Sequence, residues 1–104
     1  MDVIETPDEF IRMRCEQPIT NHRTAEFLRW VAVTRTQDVV SIIRGDGGDV
    51  VKIFDAWINL VASYERNPFI RGDIINDLNA MKACMLLGQS NGVRRVFLNL
   101  LFGR

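Results

Sequence analysis

Few side chains in this 104-residue sequence could do chemistry, and their spacing limits what that chemistry could be. His22 is the only histidine. It lies in "TNHRT" with no cysteine or second histidine at metal-ligand spacing, so neither a zinc site nor a Cys–His nucleophile is expected. The acids Glu26, Asp55, Glu65, Asp73 and Asp77 could converge on a Mg²⁺-bound phosphate only if several lay one helical turn apart, and only Asp73 and Asp77 do. Both read more simply as acids favoured at a helix start by the dipole. "GDGG" at 45–48 is not followed by the Lys-Ser/Thr of a phosphate loop. The expectation is a protein that is not an enzyme and has no metal or cofactor.

Cys15 and Cys84 are the only cysteines, without CxxC spacing. Together with an acidic start, "MDVIETPDEF", that resembles neither a signal nor a transit peptide, they fit a reducing compartment, with both thiols free and a cytoplasmic location. Cys84 sits in an apolar run and should be a small core residue, whereas Cys15 beside Glu16 should be exposed.

Arg-Gly-Asp occurs twice, at 44–46 and 71–73, and local structure accounts for both. Arginine ends one segment, glycine permits a turn, and aspartate caps or approaches the next helix. Residues 24–45, "TAEFLRWVAVTRTQDVVSIIRG", resemble a helix-turn-helix, with Leu28, Val39 and Ile42 at core positions and Arg35, Thr36, Gln37 and Arg44 placed to meet nucleic acid. A degenerate nucleic-acid-binding regulator is therefore the contrasting reading. Its fit is poor: Val33 is β-branched where the turn favours glycine, Asp38 would sit near phosphates, and Val40 or Ile43 would face a groove. Thirteen basic and thirteen acidic residues also cancel, so no global field draws the chain to nucleic acid or anionic membrane.

These side chains must be positioned by helices. The chain is 47% hydrophobic and 25% charged, an ordinary globular composition for a single domain over 1–104. No run approaches the roughly 18 apolar residues of a membrane span. Thr6-Pro7-Asp8-Glu9 carries a capping hydroxyl, an N1 proline and a carboxylate three residues after the cap, so a first helix should run from about 7 to 15 with Phe10 and Ile11 inward and Arg12 and Arg14 in water. A second, 23–33, places Phe27, Leu28 and Val31 on one face with Trp30 beside it, and should break at 34–38, where Thr34 and Gln37 could form another capping box. Residues 39–54 could be two helices or a hairpin. Val50, Ile53, Phe54, Trp57, Val61 and Tyr64 recur at helical spacing, which argues for a helix over 49–65 capped by Asp49. Its polar residues Lys52, Asp55, Asn59 and Ser63 form one narrow stripe, so it should be buried on most sides and central. Asn67-Pro68 should end it, Asp73 should cap the next helix, with Ile74, Leu78, Met81 and Met85 on one face, and a last helix should span 91–102 after the turn "GQSNG". The expected fold is all-α, a compact bundle or orthogonal array of five or six short helices.

The last helix carries the sharpest functional signal. Val93, Val96, Phe97, Leu100 and Leu101 form a stripe for the domain's own core, while Leu98 and Phe102 lie on the opposite side with Arg94 and Arg95. Something other than the same core should cover them: a second copy, or a different protein with Leu98 and Phe102 as anchors and Arg94 or Arg95 setting register. A fold of Phe102 over "PFIRG" is the plainer alternative. The sequence reading is thus a non-enzymatic interaction module, an adaptor, regulator or inhibitor of the kind found among phage and viral accessory factors or effectors, acting as a homodimer or on an unidentified protein.

Overall fold

The computed structural model describes residues 7–19, 21–44 and 49–102, all of it helix or short connection. The elements are α1 (Pro7–Glu16), α2 (His22–Thr34), α3 (Thr36–Arg44), α4 (Val50–Tyr64), α5 (Pro68–Leu86) and α6 (Asn91–Phe102). Residues 39–44 and 50–54 thus belong to two helices, and GDGG at 45–48, like Thr6, the expected cap of the first helix, lies outside the described residues, as do the side chains of Phe10 and Ile11.

Local chemistry sets the helix boundaries. Asn21 starts α2, its Oδ1 accepting from the Arg23 amide at 2.9 Å, and Asp49 starts α4, accepting from the Lys52 amide at 3.2 Å. Asn67 does the same for α5, accepting from Phe69 and Ile70, with Pro68 at the first helical position. Asn67-Pro68 is therefore a start as well as a stop. The helix begins five residues before the expected Asp73, so Arg71-Gly72-Asp73 is helical and "PFIRG" is no loop. At the other end of α5, Gly88 adopts φ +80° while the Gln89 amide donates to the Cys84 carbonyl at 2.8 Å and the Gly88 amide to Met85 at 3.2 Å. This is a Schellman closure, and a left-handed backbone there favours glycine.

α2 and α3 are separated by Arg35 alone. The Thr34–Gln37 capping box does not form, because Thr34 is still the last residue of α2 and its hydroxyl donates back to the Trp30 carbonyl at 2.7 Å.

One continuous core joins the helices: Phe27, Leu28 and Val31 from α2, Val39 from α3, Phe54, Trp57 and Val61 from α4, Ile74, Leu78 and Met81 from α5, Val93 and Leu100 from α6, with Cys15 and Cys84. The central element is α5 rather than α4. It packs against α1, α2, α4 and α6, whereas α4 leaves its predicted polar stripe and Val51 in water. Only one stripe of α4 is buried, not most of its surface.

Candidate functional site

Two regions hold the residues that sequence pattern singled out, and they differ in chemistry. The first surrounds Asp77, buried in the middle of α5. Its carboxylate accepts from the Thr24 hydroxyl at 2.7 Å and the Asn21 amide at 3.1 Å, and faces the Arg14 guanidinium at 3.7 Å. Arg14 is therefore half-buried rather than in open water, and it also donates to the carbonyl oxygens of Gln17 and Pro18. A buried carboxylate without such donors would carry a heavy desolvation cost. Beside this node Cys15 and Cys84 form a disulfide, with Cα atoms 5.5 Å apart, tying α1 to α5 across a sequence separation of 69. The expectation of free thiols, with Cys15 exposed, is corrected: each cysteine is 3% exposed, because α1 lies against the last turns of α5.

The other candidate acids go to separate partners. Asp73 pairs with Arg23 at 3.3 Å and Asp55 with Lys82 at 3.7 Å, both at the surface. Among the described residues no three His, Cys, Asp or Glu side chains gather as metal ligands would. His22 is the exposed first residue of α2, at the edge of a half-polar cavity it shares with Glu26, Trp30, Tyr64 and Glu65. Asp77 is thus committed to structure.

The residues placed to meet nucleic acid are spread over the α2–α3 junction and the far end of α3. Arg35 lies with its guanidinium carbon 4.4 Å from the centroid of the Tyr64 ring, and the Thr36 hydroxyl donates to the Ala32 carbonyl at 2.8 Å. Gln37 and Arg44 are exposed.

The second region is a groove of about 400 Å³ between α6 and the edge made by α3 and α4. Its floor is aromatic. Phe97 meets Phe54 edge-on at 6.0 Å between centroids and Trp57 at 5.4 Å. One wall is Arg94, Leu98, Leu101 and Phe102 of α6, the other Ile43 of α3 and Ile53 of α4, with Met85 and Val93 closing it. Among the described lining residues Arg94 is the one charged side chain. Ile43, Leu98 and Phe102 are 49%, 53% and 55% exposed. Phe102 therefore does not fold over residues 68–72, which are helix.

Three of the four predicted partner-binding residues, Arg94, Leu98 and Phe102, line this groove. Arg95 does not, since its guanidinium donates to the Glu16 carbonyl at 3.0 Å. It fixes α6 to α1 instead. The first turn of α6 sits hard on the same place: a Cβ at Gly92 would collide with the Cys15 carbonyl oxygen. Glycine is required there by close backbone approach. The α3–α4 wall was not foreseen; the apolar Ile43 left over on α3 was the available signal.

Among the described residues no helix is long and apolar enough to cross a membrane. No protein-family model matches the chain, and no curated protein or solved structure matches it significantly.

Proposed function

We propose that this chain is a protein-interaction module without chemistry of its own, an adaptor, regulator or inhibitor that also self-associates, and that the groove between α6 and the α3–α4 edge is its working surface. The observation that supports this best is the open apolar groove beside the half-exposed Leu98 and Phe102. Half-exposed apolar side chains gathered beside a recess are a place where another macromolecule can pack. A groove with apolar walls and one cation at its rim suits an apolar helical face, with hydrophobic anchors providing affinity and Arg94 providing register. Among the described lining residues there is no acid, base or nucleophile. The Cys15–Cys84 bond favours an oxidising setting over the cytoplasm expected from the sequence.

The test is affinity capture from the native host's lysate with wild-type and Leu98→Asp baits in parallel, after nuclease treatment. A stoichiometric protein held by the wild type and lost by the variant is the expected result. Equal recovery by both baits would remove the groove from the reading. Recovery that disappears with nuclease and weakens steeply with salt would replace it with nucleic-acid binding through Arg35, Thr36, Gln37 and Arg44.

A further inference from the structure

We infer that the half-polar cavity beside α2 and the end of α4 binds a substituted ammonium, a cation whose charge is spread over methyl groups. This site is separate from the groove, and its test does not depend on the groove's role. Its volume is about 380 Å³, within the roughly 300–1,000 Å³ of small-ligand sites. The lining takes Glu26, Phe27 and Trp30 from α2, Tyr64 from α4 with Glu65 just beyond it, and Ile70 from α5.

Three of these residues are aromatic and their rings stand in a chain. Phe27 and Trp30 lie 6.1 Å apart between centroids with a 40° tilt, and Trp30 meets Tyr64 at 5.7 Å and 63°. Phe27 is buried and holds the chain to the core, while Trp30 keeps 44% of its surface in solvent. Rings set at an angle offer a cation more than one negative π-face. The chain already places one cation on this cluster, since Arg35 stacks over Tyr64 from outside the lining.

Charge adds to the rings. Glu26 makes no hydrogen bond or ion pair among the described residues, and Glu65 accepts from the Asn67 amide at 3.2 Å. Arg23 also lines the cavity, but its guanidinium is paired with Asp73 at 3.3 Å. His22 stands exposed at the rim. Two carboxylates are too few for a bare Mg²⁺ or Ca²⁺, which takes six or more oxygen ligands. A methylated ammonium carries no such demand: its methyl groups pack on rings and on Ile70, and its charge is met by π-faces and carboxylates.

The test is a titration of the isotope-labelled chain with tetramethylammonium chloride at constant ionic strength, followed by nuclear magnetic resonance. The expected result is movement of the Trp30 indole N–H signal, with that of the buried Trp57 unmoved, and an upfield ring-current shift of the probe's methyl protons. Trp30→Leu should weaken binding roughly tenfold, read from the probe. Glu26→Gln should weaken it about threefold, and both positions are exposed, so helical circular dichroism should be unchanged. Choline and a short peptide carrying trimethyl-lysine separate a free amine from a modified side chain, the tighter one naming the source. Equal binding of neutral tert-butanol, movement of Trp30 that sodium chloride reproduces, or variants that bind as the wild type does would each overturn the proposal.

Discussion

The two ends of this helical array handle their surfaces in opposite ways. Around Asp77, α1, α2 and α5 are joined by a disulfide and a buried carboxylate that accepts from Thr24 and Asn21 and pairs with Arg14, and Gly92 seats α6 closely on α1. Among the described residues every buried side-chain nitrogen and oxygen has a hydrogen-bond partner. Between α6 and the α3–α4 edge the described lining residues are apolar side chains and Arg94. Both regions are built from buried or half-buried helix faces, so hydrophobicity alone does not separate them. Saturated polar bonding marks where the chain closes on itself, and half-exposed apolar surface marks where, on the proposed reading, a partner packs.

The largest predicted effect comes from opening the closed end. Reducing the disulfide, or replacing Cys15 and Cys84 with serine, frees a loop spanning a sequence separation of 69 and should cost about 4 kcal/mol of folding stability. Denaturant titrations with and without a dithiol measure it, and superimposed curves would show that the cross-link contributes nothing.

Asp77→Ala should cost about 3 kcal/mol, because it strands the Thr24 hydroxyl, the Asn21 amide and the partly screened charge of Arg14. The measurement is the same, and Asp77→Asn should recover part of the loss by keeping an acceptor for Thr24. A loss below that of an ordinary surface substitution would mean that the node does not hold the closed end.

Gly92→Ala sharpens the comparison, since it strikes the contact through which the closed end supports the open one. Overpacking against the Cys15 carbonyl should cost about 2 kcal/mol. It should also alter the fluorescence of Trp57, on the groove floor, more than Asp77→Ala does. Leu98→Asp should move stability by less than about 0.5 kcal/mol, because the side chain is half-exposed, while weakening self-association. Loss of helical circular dichroism in that variant would contradict an open, unshared face.

Most of the fold was legible because its signals are local. Period and caps placed α2, α4 and α6 within a residue or two, including the Asp49 cap. The start of α5 was misplaced because Asn67-Pro68 carries two meanings, and the terminating one outweighed the capping one until Phe69 and Ile70 were seen to bond to Asn67. Arg14–Asp77 and Cys15–Cys84 were not legible, since no pattern within α1 says that it lies along α5. For the groove, α6 gave away its own wall through Arg94, Leu98 and Phe102, residues in excess of what one core could cover. The opposite wall depends on how α3 and α4 pack, which no single helix encodes.

The seat of Gly92 has a mechanical meaning. α6 is seated at its base, where Gly92 and Arg95 rest on the end of α1, and is held along its length by α2 and by Leu100 in the core, with Leu98 and Phe102 half-exposed at the groove. From Gly92 to Phe102 the helix is about 15 Å long, so a tilt of about 4° at the base displaces the tip by about 1 Å. Backbone geometry at the base, a spot cross-linked to α5, thus contributes to where the Leu98 and Phe102 wall of the groove stands. Sequence change around residues 15–16 and 92–95 can regauge the opening for a different occupant while every side chain that touches the occupant stays the same.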